Sequence, residues 1–309
     1  MQKEKTDLDA PQYEDGEVNS IHELQIKPEV EKKLVRTLDY RLMIWAFFGY
    51  FANGLDRNNM PNAQTTGLSE DLNLVSNQYN WALTMFFIGY IVLQIPANYI
   101  ITKVRPSIML PLIVFTWGAV VCFMSLVKNY QGLYGLRLCL GLCEAGFYPG
   151  IVFLIGSWYT KEELGTRTCV FVAGSQISGA FSGLISGAIA QGLDGINGMR
   201  GWKWLFIIEG LIAVVIGIVG FFVIPDFPHN TRFIQGEMRE VAMIRLERQG
   251  RSSSVSDIGY SSSMANYLMV PIWIWVGVVV IAQGYLSDKY SQRAYHILGG
   301  SLFTLVWYI

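Results

Sequence analysis

The sequence predicts an all-α, polytopic membrane protein, and three observations carry that expectation. Of its 309 residues 52% are hydrophobic and only 15% are charged, a balance too apolar for a soluble globule of this length. Apolar stretches of about 20 residues, enough to cross a hydrocarbon core of roughly 30 Å, recur along the chain. Lys and Arg are shared unequally between alternate connecting segments, as in membrane proteins whose basic loops stay in the cytosol.

Residues 1–40 are polar and of mixed charge, with no apolar core of a signal peptide, and are expected to form a disordered cytosolic tail. The tail ends in a short amphipathic stretch from Glu31 to Tyr40, whose Leu34, Val35 and Leu38 would lie along the membrane surface. Six spans follow, at about 42–66, 81–101, 107–127, 132–156, 168–191 and 204–224, so that 41–224 reads as a six-helix transmembrane bundle. Residues 225–263, with a serine-rich patch from Ser252 to Ser254, read as a flexible cytosolic linker. Two further apolar runs lie within 264–309, near 266–286 and from Tyr295 to Ile309. The last is 15 residues, about 22 Å of helix, and falls short of a comfortable crossing.

With the N-terminus in the cytosol, Lys and Arg crowd the tail, the 102–106 and 157–167 loops and the linker, and only Lys128, Arg200 and Lys203 fall outside. That fixes the first six helices. Simple alternation would then put the basic segment Gly284 to Arg293 on the outer face, which points to one helix missing between the linker and Met264.

A charge at the centre of a spanning helix costs roughly 2.5–3.5 kcal/mol even on the lenient insertion scale, so such residues persist where they pair or meet water. Arg137 and Glu144 are seven positions apart, close to two helical turns, and share a face. Asp56 and Arg57 are adjacent and diverge by about 100°, which lets Arg57 present its fork to a bound anion while Asp56 turns to a neighbouring helix or to Arg137. For each pair, a structural salt bridge is the alternative. Gln176 carries an amide at mid-depth of the fifth span that could donate to a substrate oxygen or to a facing helix. On the same span Gly179, Gly183 and Gly187, with Ser178, Ser182 and Ser186 beside them, read as a close-packing face or a glycine-lined substrate wall.

No enzyme constellation competes. His22, His229 and His296 are scattered, no phosphate-cradling loop precedes a helix, and neither a metal nor a cofactor is expected. Net charge is −1 and no basic run is interleaved with aromatics, so nucleic acid is not an expected partner. The four cysteines lie within or beside apolar spans and are given no chemistry.

Several strings together resemble one family: Leu55-Asp-Arg-Asn58, Ile95-Pro-Ala-Asn98, Arg105-Pro-Ser107, Trp117-Gly118, Arg137 with Glu144-Ala-Gly-Phe-Tyr-Pro-Gly150, Gly201-Trp-Lys-Trp-Leu-Phe-Ile-Ile-Glu-Gly210 and Pro225-Asp-Phe-Pro228. Over about residues 30–250 the chain resembles the major facilitator superfamily, and within it the anion:cation symporters typified by fungal allantoate, nicotinate, pantothenate and sulfonate permeases. The resemblance implies a major facilitator fold with a complete N-terminal six-helix half and a partial C-terminal half, its substrate held at the midplane between the halves.

It also implies Asp56 and Glu144 as protonatable carboxylates, with Arg57 and Arg137 engaging the anion or tuning them. Gln94 stands where many members have an acid, and the loop Thr102-Lys-Val-Arg-Pro lacks the superfamily's Asp. Gly284, Asp288, Lys289 and Arg293 carry that cytosolic gating motif in fuller form, between what would be helices eight and nine. The seventh helix and the last three would then be missing. The function implied is proton-coupled symport of a small organic or sulfur-containing anion, with protons and the lipid bilayer as its other partners. A truncated, transport-inactive relative is the alternative, and a homo-oligomer that supplies the missing helices stays open. The plasma membrane is the expected location, an internal membrane the alternative.

Overall fold

In the computed structural model, the described residues are 27–247 without Ser76 and His229. The chain divides into two units, Met1–Gly259 and Tyr260–Ile309, and the described residues all belong to the first. The apolar runs within 264–309, the serine-rich patch and the Gly284, Asp288, Lys289 and Arg293 motif lie outside the described residues.

Every regular element among the described residues is helical. Helix α1 (Pro28–Leu38) runs through a π-turn (Asp39–Met43) into α2 (Ile44–Thr65), and the short α3 (Leu68–Asp71) follows Gly67, whose φ of +93° suits a residue without a Cβ. Then come α4 (Gln78–Ile101), α5 (Pro106–Met124), α6 (Tyr130–Glu144), α7 (Phe147–Trp158), α8 (Lys161–Gly192), α9 (Gly201–Val223) and α10 (Glu237–Glu247). The fourth expected span is thus two helices, broken at Ala145 and Gly146. Pro149 accounts for the break, because it has no N–H to give the carbonyl of Ala145.

Among the described residues five helical stretches are long and apolar enough to cross a membrane: Gln78–Ile101, Pro106–Met124, Tyr130–Trp158, Lys161–Gly192 and Gly201–Val223. The first expected span, α2, has the length, 22 residues or about 33 Å, but not the apolarity, because Asn53, Asp56, Arg57, Asn58, Asn59 and Asn62 interrupt it. It holds its place by burial inside the bundle: Ala46, Ala52, Leu55, Met60 and Ala63 are almost fully covered.

Lipid-facing helices gain little hydrophobic drive from association, so close van der Waals packing must hold the bundle together. Three seams supply it, each opened by glycine. A Cβ on Gly118 of α5 would lie 2.7 Å from the Val214 nitrogen of α9, and one on Gly210 of α9 would lie 2.8 Å from the Gly118 carbonyl. Gly89 of α4 and Gly141 of α6 would collide with the carbonyls of Leu138 and Phe86 across their seam. Gly54 of α2 meets Ser175 and Ser178 of α8, and Gly174 of α8 meets Phe47. At the centre the Trp117 and Phe147 rings sit edge to face at 4.9 Å, both fully buried.

The close-packing face of α8 is therefore the one next to the expected glycine stripe. Ser178, Ser182 and Ser186 are buried against neighbours, whereas Gly183 and Gly187 have nothing within 4 Å among the described residues and Gly179 only Asn58 at 3.9 Å. A spacing of four finds a stripe but does not choose between two stripes one residue, or about 100°, apart.

One end of the bundle is clasped by polar contacts that hydropathy does not reveal. Residues 28–40, expected to close a disordered tail, form α1 and the start of the π-turn, and Leu34 and Leu38 are buried in the protein rather than laid along a membrane. The first part of the expected flexible linker likewise packs down: Phe227 and Ile234 join the core and α10 lies on α1. Arg245 of α10, its side chain 5% exposed, has Nε 2.9 Å from Glu31 and a terminal nitrogen 2.7 Å from Glu163, the residue that closes the capping box of α8 with Thr160.

Asp39 accepts from Arg167 at 2.9 Å and from the Tyr159 hydroxyl at 2.8 Å; burial, then the Asp39 carboxylate, push the Tyr159 phenol well above its ordinary pKa. Asp226 takes the Ser107 N–H with its carboxylate and the Trp158 indole with its carbonyl. At the opposite end Trp202 donates to Asp71 at 3.0 Å, and Lys203 lies 3.5 Å from the same carboxylate.

Arg245→Ala leaves Glu31 and Glu163 without their cation; because both partners are partly exposed, the loss is on the order of 2 kcal/mol. A lower melting temperature in detergent and faster proteolysis between Ile224 and Gly236 are the expected readouts. Gly141→Val is expected to abolish monodisperse folded protein by size exclusion, since its side chain meets α4 backbone, while Gly183→Ala leaves the melting temperature unchanged.

Candidate functional site

Helix α2 carries polar side chains at intervals of three, Asn53, Asp56, Asn59 and Asn62, so that one ridge of an otherwise apolar helix is hydrophilic. The bundle buries this ridge: Asn53 and Asp56 are 3% and 2% exposed, and Asn59 is fully covered. Burial of so many polar groups is sustainable only if each finds a partner. Helix α6 supplies Arg137 and its last residue Glu144, helix α9 supplies Glu209, helix α8 supplies Ser182 and helix α5 supplies Trp117.

The contacts form three short chains. Asn53 donates to Glu144 at 2.8 Å and accepts from Arg57 Nε at 3.3 Å, while a terminal nitrogen of Arg57 stands 4.0 Å from the same Glu144 oxygen. Arg137 donates to Asn59 at 2.7 Å, and Asn59 reaches Asp56 at 3.5 Å. Asp56 also lies within electrostatic reach of Glu144, Glu209 and Arg137, with the Trp117 indole beside it. On the far side of the ridge Asn62 donates to Ser182 at 2.7 Å and Ser182 donates to Glu209 at 3.2 Å.

The two arginines sit differently. Arg137 is 3% exposed and enclosed, with the Phe206 ring 6.0 Å away. The Arg57 side chain is 39% exposed, and its guanidinium is flanked by the rings of Phe86 and Tyr90 of α4 at 5.6 and 5.4 Å. Asp56 and Arg57 do diverge, one into the bundle and one to its open face. A cation held by rings and one amide, its carboxylate neighbour 4.0 Å off, keeps donors for an incoming anion.

Asp56, Arg57, Arg137 and Glu144 are thus brought into one cluster. Gln176 is not: it is exposed on α8, on the face that carries Gly183, seven residues on. Gly284, Asp288, Lys289 and Arg293 lie outside the described residues. Sequence reasoning passed over Glu209, although the cost argument that singles out Glu144 applies equally to a lone carboxylate inside the span 204–224. It also passed over the asparagines, whose spacing of three along α2 was legible. Among the described residues no group of three His, Cys, Asp or Glu is arranged to hold a metal ion.

Comparison with known proteins agrees with this architecture. Residues 46–249 match the Major Facilitator Superfamily. The chain is 33% identical to the MFS-type transporter cnsO of Penicillium expansum over 325 aligned residues, covering 89% of this chain and 62% of that one. It is 31% identical to an uncharacterized transporter, C1683.12, of Schizosaccharomyces pombe, covering 94% and 69%. The chain therefore spans about two thirds of the length of these relatives. In fold it is similar to a bacterial homolog of the human lysosomal transporter Spinster in an inward-facing, unoccupied conformation, with a TM-score of 0.57 at 16% identity, covering 83% of this chain and 64% of that one. The chain is an integral, multi-pass membrane protein, and it belongs to the major facilitator superfamily, whose members are transporters and not enzymes.

Proposed function

We propose that the transport function is proton-coupled symport of a small organic or sulfur-containing anion of the carboxylate or sulfonate class, as in the anion:cation symporters the sequence resembles. The observation that carries the proposal is the placement of Arg57: a half-exposed guanidinium whose nearest carboxylate, Glu144, is buried and 4.0 Å away. With Glu144 ionised, its charge compensates Arg57. When Glu144 takes a proton the guanidinium is left uncompensated in a low-dielectric surround, and an anion binding there restores the balance. Proton and anion then promote each other's binding by the same factor, which is the linkage that symport requires. Arg137 and Asp56 form the deeper half of the same device, reached through Asn59.

Basic residues of the α4–α5 loop and the α8 start, Lys103, Arg105, Lys161 and Arg167, favour the clasped end as the cytosolic one, with the N-terminus inside and the plasma membrane as location. The alignment with cnsO is 325 positions long against 309 residues here, so the relative carries residues inside the match that have no counterpart in this chain. A helix absent between the linker and Met264, where the alternation of basic segments breaks, would account for such residues.

The test is uptake by the full chain in proteoliposomes, offered a panel of radiolabelled carboxylates and sulfonates at several pH values. Uptake is expected to rise as external pH falls, and Arg57→Ala to weaken apparent anion affinity by about 10- to 100-fold, the worth of one charged hydrogen bond. Glu144→Gln, a permanent mimic of the protonated acid, is expected to keep anion exchange and lose its pH dependence. Uptake unchanged in both Arg57→Ala and Arg137→Ala would overturn the proposal, and no uptake of any probe by well-folded chain would favour the transport-inactive alternative.

A further inference from the structure

The cluster holds three buried carboxylates, Asp56, Glu144 and Glu209, and the arginines are not shared evenly among them. Arg57 attends Glu144. Arg137 faces Asp56, Glu144 and Glu209, and for Glu209 it is the one cation within electrostatic reach among the described residues. Glu209 is 1% exposed; one oxygen accepts from Ser182 at 3.2 Å, and the other has no partner among the described residues. One oxygen of Asp56 and Nε of Arg137 are likewise without a hydrogen-bond partner there. Once Arg57 is assigned to Glu144, a single guanidinium serves two carboxyl groups.

Two ionised carboxylates around one guanidinium leave an uncompensated negative charge out of water, which a low-dielectric site avoids by keeping a proton on one of them. The other groups facing the pair do not change this count. Glu144 of α6 faces Asp56 as well, but its charge is set against that of Arg57. The remaining groups are the Asn59 amide of α2, the Ser182 hydroxyl of α8, and the Trp117 indole and Cys122 thiol of α5, with the Tyr79 phenol of α4 beyond Arg137. All of these are neutral when protonated, and the first four bear on one carboxyl only.

We propose that Asp56 and Glu209 compete for one proton in the field of Arg137, and that Glu209 is a positioning residue that shifts the pH at which Asp56 takes up and releases its proton. This rests on the reading of Asp56 as a proton-coupling group and goes beyond it by giving α9 a part in the control of coupling. Ser182 and Asn62 bias the sharing, because the hydroxyl they orient favours the ionised form of Glu209 and so leaves the proton to Asp56.

The test is an infrared pH titration of the purified full chain in lipid nanodiscs, following the carboxylic C=O band that Asp56→Asn removes. Glu209→Gln keeps an acceptor for Ser182 and deletes the competing charge; it is expected to move the midpoint of that band to lower pH, by at least about tenfold in proton affinity. Ser182→Ala should move it the same way by a smaller amount, and serves alone if Glu209→Gln does not fold. Glu209→Asp should restore most of the original midpoint. A midpoint that stays put, or moves to higher pH, in the folded variants overturns the proposal and makes Glu209 a packing residue of the α8–α9 contact. If instead Asp56→Asn leaves the pH dependence of uptake intact, the functional reading of Asp56 fails while the shared titration stands or falls by its own midpoint.

Discussion

A charge removed from water must be compensated, and in this bundle the requirement is met across helices and not within them. Arg137 of α6 is the pivot: it touches Asn59 of α2, and its field reaches Asp56, Glu144 and Glu209 on three helices. Remove the guanidinium and three carboxyl groups on α2, α6 and α9 would have to find protons or water. The glycine seams follow from the same demand, because side chains as short as Asn, Asp and Ser connect neighbouring helices only when the backbones lie close. Gly54 lets α2 reach Ser178, and Asn62, about two turns further along α2, can then reach Ser182, about one turn further along α8. Packing and electrostatics here are two descriptions of one arrangement.

The seams also separate two kinds of helix face. Faces that carry the polar ridge or the seam glycines Gly54, Gly89, Gly118, Gly141, Gly174 and Gly210 are covered; faces rich in Ile, Val, Leu and Phe, such as Ile91, Val92 and Ile95 of α4 or Val215 and Phe222 of α9, are open. A soluble protein would bury the second set. Here the ordering is inverted because the surrounding solvent is lipid, and the costly groups are the polar ones.

Much of this was legible in the sequence. Hydropathy placed the ends of the long helices within three residues, except the start of α8, which lies seven residues before the expected 168, because spanning length is a physical constant of the bilayer and a polar first turn is not counted in it. Asp56, Arg57, Arg137 and Glu144 declared themselves by the cost of their charges. What hydropathy missed depends on partners distant in sequence. Helices α1 and α10 are polar and short, and each orders only against its partners, with Leu34 and Leu38 buried and Arg245 meeting Glu31 and Glu163. The packed stripe of α8 was confused with its neighbour because both repeat every four residues. Glu209 was overlooked although its signal was as strong as that of Glu144; it merely lacked an arginine on its own helix to draw attention to it.

The π-turn at Asp39–Met43 makes α1 and α2 one uninterrupted helical rod from Pro28 to Thr65. Its lower end is bolted by Glu31 to Arg245 and by Asp39 to Arg167, and its upper third carries Asp56 and Arg57. A rod gripped at one end transmits torque to the other. A wider turn inserted between grip and site resets the angular phase of the polar ridge, so the turn works like an indexing joint, fixing which way the charges point for a given setting of the clasp. Adding or deleting one residue there would rotate every polar group of α2 by about 100° relative to the clasp without altering the composition of either.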